Sequence, residues 1–292
     1  MATQVPPPDA DTRKPRFAPP HGAADTAAHV FPPADRYPVS EKRLYDPPAG
    51  TGFEDLARMH RAIGCERGVI VQATPYRTDY RSTLAALEHF GPGYRGVVVL
   101  DDWITDGELD LLSRAGVRGV RFNFAKFLGL VPEIGTFERV TRRVTELGWH
   151  VVLHVMPEDL IEHEKLFRAL PATFVIDHMA HLDPAGGLDQ APLALIRDLL
   201  QDGRWWIKLS NGDRISQAGP PYADVVPIGR ALAEAAPDRA IWGTDWPHVL
   251  YRKPKMVNDG DLVDLLAAYV PDEAARRKVL ADNPAALYGF AA

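Results

Sequence analysis

Four residues of this chain combine reactive side chains with positions at the ends of short apolar segments. Asp245 follows one such segment, and His29, His154 and His178 end or follow three others. A carboxylate and neutral imidazoles can together activate a water molecule and polarise a carbonyl oxygen. The same groups are also suitable ligands for zinc or manganese. The residue types therefore predict either a metal-free hydrolytic site or a divalent metal site.

Eight apolar segments recur along the chain with helical patterns between them. They are continuous rather than alternating, as expected for parallel strands that are buried on both faces. Eight strand and helix units predict a single-domain α/β fold, the (β/α)8 TIM barrel, with a doubly wound open sheet as the alternative. Because catalytic groups of such barrels come from the carboxyl ends of the strands, the four residues are expected to converge. The predicted strands are Gly22–Phe31, Gly68–Ala73, Arg95–Leu100, Gly119–Phe124, Trp149–Val155, Thr173–His178, Trp205–Ser210 and Arg239–Asp245.

Helix starts are also marked in the sequence. Thr51 with Glu54 and Thr105 with Glu108 both fit the capping box, in which a hydroxyl and a carboxylate bind backbone N–H groups at the first turn. After the eighth strand, two closing helices are predicted at Asp261–Tyr269 and Pro271–Asp282.

Composition limits the classes of partner. With a net charge of −6 and charges of both signs scattered along 292 residues, the chain offers no basic surface for nucleic acid or anionic membranes. Its single cysteine, Cys65, can form no internal disulfide, which suits a cytoplasmic location.

The N-terminal region differs from the rest of the chain. The first 22 residues contain six prolines and no apolar stretch, so they are predicted to be neither a signal peptide nor a membrane anchor. We interpret residues 1–22 as an extended arm that wraps the protein or stays disordered, and residues 23–292 as the barrel.

Five motifs resemble the amidohydrolase superfamily. Within it they are similar to the group of 2-pyrone-4,6-dicarboxylate lactonases, and the likeness runs from Asp25 to Pro284. It implies a hydrolase that opens a lactone or another carboxylic ester of a small carboxylated ring compound, in aromatic compound catabolism. The motifs are Asp25-Thr-x-x-His29-Val-Phe31, Gly119-Val-Arg121-Phe-Asn123-Phe124, Val175-Ile-Asp177-His178-Met179, Ile207-Lys-Leu-Ser210 and Trp242-Gly-Thr-Asp245-Trp-Pro-His248.

The resemblance also implies roles for individual residues. Asp245 matches the general base that activates water, and His29 and His178 match the residues at the scissile carbonyl. His154 lies where metal-binding members of the superfamily place a histidine. A zinc or manganese ion, if the site uses one, would be bound by His29, His154, His178 and Asp245.

Substrate binding is expected to depend on arginine. Arg121 and Arg214 match the guanidinium groups that the family uses for substrate carboxylates, which arginine can bind through two hydrogen bonds. The other residues expected to contact the substrate are Asn123, Thr74, Tyr76, Thr78, Phe127 and His248.

The sequence departs from the family at two of these positions. Ala27 stands where the family has the first histidine of a His-x-His motif, so one metal ligand or carbonyl-polarising group is missing. The chain is therefore expected to be an inactivated variant, either engineered or natural. Phe127 stands where the dicarboxylate lactonases have a second arginine, which predicts a less acidic and more apolar substrate than 2-pyrone-4,6-dicarboxylate.

Two further functions remain as alternatives. Related barrels carry out non-oxidative decarboxylation with a metal ion, and a barrel without the histidine at position 27 could also bind a ring acid without converting it. The expected partner in every case is a small carboxylate or lactone, and the expected state is a monomer or homodimer.

Overall fold

The computed structural model describes residues 2–291, which form a parallel barrel of eight strands in sequence order. Residues Gly119 to Asn123 of the fourth strand pair in register with His150 to His154 of the fifth. The barrel closes where Ala28 pairs with Trp246, and the prediction of a (β/α)8 barrel is confirmed. The strands are β1 (Ala24–Ala28), β2 (Arg67–Val71), β3 (Tyr94–Val98), β4 (Val117–Asn123), β5 (His150–His154), β6 (Phe174–Ile176), β7 (Trp205–Leu209) and β8 (Ala240–Trp242).

Helices surround the barrel and follow the strands. None of the helices within residues 2–291 has the length and apolar character needed to cross a membrane. The helices are α1 (Phe53–Ile63), α2 (Arg81–Phe90), α3 (Asp106–Ala115), α4 (Ile134–Glu146), α5 (Pro157–Ala169), α6 (Ala191–Leu199), α7 (Gly212–Ile215), α8 (Val226–Ala235), α9 (Asp259–Tyr269), α10 (Glu273–Arg277) and α11 (Asn283–Tyr288).

The inside of the barrel is filled by branched apolar side chains. Val69, Val152, Val175 and Ile241 belong to one buried cluster although they come from β2, β5, β6 and β8. Strands so far apart in the sheet can share a cluster only across the barrel interior. This packed core fills the barrel below the carboxyl ends of the strands, so the space for a ligand lies above it.

Several predicted boundaries differ from the structure. The strand β6 ends at Ile176 and β8 at Trp242, so His178 and Asp245 lie in the following loops. The capping box at Thr105 is confirmed, because its N–H donates to the Glu108 carboxylate at 2.9 Å. The one predicted at Thr51 is wrong. Its hydroxyl donates instead to the carbonyl of Pro48, and α1 begins after Gly52.

The N-terminal arm lies against the barrel. The N–H of Thr3 donates to the carbonyl of Leu44 at 2.9 Å. Further along, Arg13 forms ion pairs with Asp261 and Asp264 of α9. The arm is therefore attached to the protein near its start and again at its middle.

The closing helices are close to those predicted. The helix α9 begins two residues before the predicted Asp261, at Asp259. The second predicted helix is divided into α10 and a wider π-helical turn at Lys278–Asp282, after which α11 continues.

Candidate active site

A cavity of about 350 Å³ opens at the carboxyl ends of the strands. Eight of the residues predicted from the sequence line it, together with several that were not predicted. The eight are His29, Thr74, Arg121, Phe127, His154, His178, Arg214 and Asp245.

Asp245 is bound on one side and faces the histidines on the other. Its Oδ2 accepts a hydrogen bond from Nη2 of Arg214 at 2.9 Å. Its Oδ1 lies 3.5 Å from Nε2 of His29 and 3.7 Å from Nε2 of His178. The backbone is fixed as well, because the N–H of Asp245 donates to the carbonyl of Ala27 at 2.8 Å.

The carboxylate of Asp245 is ionised at neutral pH. Burial by itself would raise its pKa, but the nearby His178 and Arg214 and the contact with His29 more than offset this effect. The pKa of Asp245 therefore lies well below its ordinary value. Asp245 is thus available to accept a proton across the physiological pH range.

The hydrogen bonds of His29 determine which of its nitrogens can accept a proton. Its Nδ1 lies 2.7 Å from the carbonyl oxygen of Val71, which can only accept, so Nδ1 carries the hydrogen. In the neutral ring, Nε2 then has a free lone pair directed at the side of the cavity where Asp245 lies. This geometry favours an acceptor role for His29 rather than the expected carbonyl-polarising role.

His178 is a buried neutral imidazole. Burial lowers its pKa to about 3, despite the opposing effects of Asp177 and Asp245. Its Nδ1 lies 2.8 Å from the hydroxyl of Ser210, which can donate as well as accept. Nη2 of Arg121 can only donate and lies 3.3 Å from Nε2, so in the neutral ring Nε2 is the acceptor and Nδ1 donates its hydrogen to Ser210.

A left-handed turn places two histidines in the cavity. Residues 178–181 have φ values of 52°, 51°, 49° and 53°, although none of them is glycine. Left-handed backbone costs roughly 1–2 kcal/mol for each such residue. Because this strain falls at the cavity, it supports a functional reason for the position of His178 and His181.

His181 was missed by the sequence analysis, as was Tyr45. Nε2 of His181 lies 3.0 Å from Nε2 of His154, and Nδ1 of His154 lies 3.0 Å from Oδ1 of Asn123. Burial lowers the pKa of His181 to about 4, so this ring is also neutral at physiological pH. Tyr45 lines the cavity near Thr74, and burial raises the pKa of its hydroxyl. A histidine three residues after His178 was the only signal available for His181.

Three buried charges lie beneath the cavity. Asp177 pairs with Nη2 of Arg121 at 2.9 Å through one oxygen and with Nζ of Lys208 at 2.9 Å through the other. All three side chains are almost fully buried. Arg121 Nη2 also lies 3.3 Å from Nε2 of His178, so the group brings positive charge to the histidine.

Four predicted site residues do not line the cavity. Thr78 and Asn123 line a neighbouring cavity, and Tyr76 is buried in a stacked contact with Phe31. His248 was expected at the substrate but is fully buried, and its Nε2 lies 3.0 Å from Oδ1 of Asp259. Burial opposes protonation of His248, but Asp259 outweighs it and raises the pKa, so this pair is best interpreted as structural.

Ala27 lies against the loop that carries Asp245. A Cβ atom placed on Gly243 would be only 2.7 Å from both the Cβ and the backbone nitrogen of Ala27. The β1 strand and the Gly243 loop thus approach as closely as a glycine permits. Position 27 is therefore adjacent to the loop that carries Asp245.

The barrel and the pairing of a strand-end carboxylate with histidines define a class of protein. The family model for amidohydrolases matches residues 24–290, and the chain belongs to this family.

Relatives of the chain are named for lactone hydrolysis. It is 42% identical over 275 residues to a 4-sulfomuconolactone hydrolase of Rhizobium radiobacter, covering 94% of this chain and 92% of the relative. It is 38% identical over 288 residues to a 2-pyrone-4,6-dicarboxylate hydrolase of Comamonas testosteroni, with 96% and 94% coverage. A ligand-free crystal structure from Agrobacterium tumefaciens has a TM-score of 0.89 and 29% identity, with 97% and 99% coverage.

More distant barrels show the same fold and contain metals. A Burkholderia multivorans amidohydrolase with bound zinc is 18% identical with a TM-score of 0.69. A 5-carboxyvanillate decarboxylase from Novosphingobium aromaticivorans with bound manganese is 13% identical with a TM-score of 0.53. At these identities the likeness concerns the fold alone.

The residues of this chain do not fit a metal ion well. Within residues 2–291, no group of three or more His, Cys, Asp or Glu side chains is arranged as a metal site. The guanidinium of Arg214 is bound to the carboxylate of Asp245, and that of Arg121 lies beside His178. A metal ion bound to Asp245 and His178 would be repelled by both arginines.

Proposed function

We propose that this chain is a hydrolase that opens the ring of a small anionic lactone with a water molecule activated by Asp245. The observation that carries the proposal is the contact between Asp245 and His29. Oδ1 of Asp245 and Nε2 of His29 are 3.5 Å apart, and both are acceptors when the imidazole is neutral. A water molecule between them can donate one hydrogen to each and direct its lone pair at a carbonyl carbon.

The reaction follows from this placement. As the water oxygen bonds to the carbonyl carbon, its proton passes to the carboxylate of Asp245. The carbonyl oxygen becomes an oxyanion beside the guanidinium of Arg121, which contacts Nε2 of His178 and stabilises the negative charge. When the tetrahedral intermediate collapses, the ring C–O bond breaks and the leaving oxygen takes the proton back from Asp245. The product is the open hydroxy or oxo acid.

Arg121 and Arg214 retain donors for an anionic substrate. Both side chains form one ion pair with the protein, but the Nε–H of each is buried without a hydrogen-bond partner within residues 2–291. Buried donors of this kind normally have a partner. A carboxylate of the substrate is the partner that guanidinium groups bind best.

Phe127 supports the prediction of a less acidic ring. Its side chain is 49% exposed and contacts His154 edge to face, with ring centroids 6.1 Å apart. An aromatic surface replaces a cation at this part of the cavity wall. We therefore propose that 2-pyrone-4,6-dicarboxylate is not the preferred substrate.

Ala27 lowers the expected rate. The family places a histidine at this position, and loss of one electrostatic group in an enzyme site costs on the order of 100- to 1000-fold in rate. We infer that the chain is a slow hydrolase in its present form. The cytoplasmic location and the monomeric or dimeric state stay predictions from the sequence.

The test compares this chain with the Ala27→His variant on a panel of γ-lactones, pyrones, esters and aromatic acids. We expect lactone hydrolysis by both proteins and a rate about 100-fold or more higher for the variant. Metal content is measured on both proteins, and rates are measured with and without a chelator. Because the arginines occupy the neighbourhood of the ligands, activity is expected to survive chelation.

Two results would favour other functions. A variant that binds the panel compounds but hydrolyses none would support a non-catalytic ring-acid-binding barrel, which the missing histidine also favours. Activity that appears only with one equivalent of zinc or manganese would show a metal-dependent hydrolase, or a decarboxylase if carbon dioxide is released.

A further inference from the structure

Two cations on the segment after β8 lie at the rim of the cavity. Arg252 and Lys253 both line it, and Arg252 is exposed whereas Lys253 is half-buried. The deep end of the same cavity holds Arg121 and Asp245, which are 4% and 5% exposed. The cavity thus has a buried end that carries the proposed chemistry and an open end that carries further positive charge.

The positive charge at the open end is not neutralised. At the deep end, Arg121 pairs with Asp177, and Arg214 pairs with Asp245. Lys253 donates to the backbone carbonyl of Ser216. In the part of the chain that the structure describes, no carboxylate lies within ion-pair distance of Arg252 or Lys253, and Asp245 is the one acidic side chain that lines the cavity.

The rim continues into a smaller cavity of about 140 Å³. Arg252 and Phe127 line both cavities, and the N-terminal arm, residues 3–6, forms the remaining wall of the smaller one. No acidic side chain lines this space either. Its walls are aromatic and aliphatic apart from Arg252 and the polar residues of the arm, which strengthens the interaction of an anion with the guanidinium.

We propose that Arg252 and Lys253 form a second anion subsite that binds a sulfonate or carboxylate substituent of the lactone substrate. The inference rests on the proposed function and specifies its substrate class. The preferred substrate is a lactone with one anion at Arg121 and Arg214 and another that reaches the open end. The chain thus has no cation at position 127, but it supplies two cations, Arg252 and Lys253, at the open end of the cavity.

The test uses two ligands that differ by one anion, muconolactone and 4-sulfomuconolactone. Binding is measured by calorimetry and hydrolysis by KM and kcat, on this chain, on the Arg252→Gln/Lys253→Gln double variant and on Lys255→Gln. Lys255 is the matched control, because it is an exposed lysine of the same segment that does not line either cavity. Calorimetry reports on the subsite even when turnover is slow.

We expect the double variant to bind 4-sulfomuconolactone about 30-fold more weakly, because it loses the charge-assisted hydrogen bonds of two partly exposed cations. Its affinity for muconolactone should change by less than twofold, kcat should be unaffected, and Lys255→Gln should resemble the parent. High salt should remove most of the preference for the sulfonate.

Equal loss of affinity for both ligands in the double variant would overturn the subsite, as would a parent chain that does not distinguish them. Failure of the proposed function looks different. In that case the sulfonate is bound preferentially through Arg252 and Lys253, but neither this chain nor its Ala27→His variant hydrolyses either lactone.

Discussion

Nε2 of His29 and Oδ1 of Asp245 lie 3.5 Å apart, and because Nδ1 of His29 donates to a backbone carbonyl, both atoms are acceptors when the imidazole is neutral. Two neighbouring acceptors can bind a water molecule that donates one hydrogen to each of them and keeps a lone pair free for the carbonyl carbon. It also gives the two partners different proposed roles, because the ionised carboxylate of Asp245 is the group that we propose takes the proton.

Replacing Asp245 by Asn should abolish most of the activity. The amide retains the shape of the side chain but cannot accept the proton, and general base catalysis contributes typically about 100- to 10,000-fold. We expect kcat to fall by that factor in the Ala27→His background, where the starting rate is high enough to measure the loss. His29→Asn should have a smaller effect, because the water would lose an acceptor but not its base.

The control for Asp245→Asn is thermal unfolding, which should show a folded protein. Full activity in this variant would contradict the assignment of the general base and would direct attention to the His154 and His181 pair.

The pH dependence of kcat/KM should lack an acidic limb near neutrality. Burial lowers the pKa of His178 to about 3 and that of His181 to about 4, and the pKa of Asp245 also lies well below its ordinary value. All three groups are therefore in their active ionisation state from about pH 5 upward. The profile is measured on the His29→Asn variant, so that His29 does not contribute, and an apparent pKa between 6 and 7 on its acidic side would contradict this assignment.

The free energy of unfolding, unlike the activity, should depend on pH below about 6.5. A histidine whose pKa is lowered by folding stabilises the native state above its unfolded pKa, near 6.5, and this contribution is lost as the pH falls through the folded value. Burial lowers the pKa of His150 to about 3 and affects His178 in the same way. The free energy of unfolding should thus decrease between pH 6.5 and 4, by about 1.4 kcal/mol per pH unit for each such histidine.

Urea unfolding at several pH values measures this slope. The His150→Gln variant should show a shallower slope than the parent by one histidine, and an unchanged slope would indicate that His150 does not titrate with folding.

Gly243→Ala should damage the site without changing any reactive group. The added methyl would lie 2.7 Å from the Cβ and backbone nitrogen of Ala27, a contact that only movement of the loop can relieve. Overpacking of this kind typically costs about 1–3 kcal/mol. Because Asp245 lies two residues further along, we expect a lower melting temperature together with a lower kcat.

Gly107→Ala is the matched control, because nothing lies within 4 Å of a Cβ at that position. Equal melting temperatures for the two variants would show that the close approach of β1 and the Gly243 loop is not a constraint.

The number of strands was predictable because a parallel strand buried on both faces has a recognisable sequence. The pattern depends only on local residues, as at Trp149–Val155, which contains β5. The positions of catalytic groups after the short strands were less predictable. Asp245 and His178 lie in loops with φ values of 63° and 52°, which the apolar pattern does not encode.

Residues that enter the site from distant loops gave almost no sequence signal. Tyr45 precedes α1 by several residues and lines the cavity from a segment that pairs with Thr3 of the arm. His248, in contrast, was predicted to line the site but does not. It follows Asp245 closely in a motif, but the chain turns it into the protein toward Asp259, where it can satisfy a buried carboxylate.

The last prediction concerns the buried charges beneath the site. Lys208 is fully buried and pairs with the oxygen of Asp177 that Arg121 does not contact. In the Asp177→Asn variant, Lys208 and Arg121 would both lose their counter-ion in a low-dielectric interior, and breaking a buried pair costs about 3–5 kcal/mol. Removing Lys208 as well, in Lys208→Met/Asp177→Asn, should restore part of that stability, because only one buried cation, Arg121, then lacks a counter-ion. Arg121 loses its anchor in the double variant, so KM for anionic lactones should rise even as the melting temperature recovers. A double variant with parental KM would show that Asp177 does not position Arg121 for substrate.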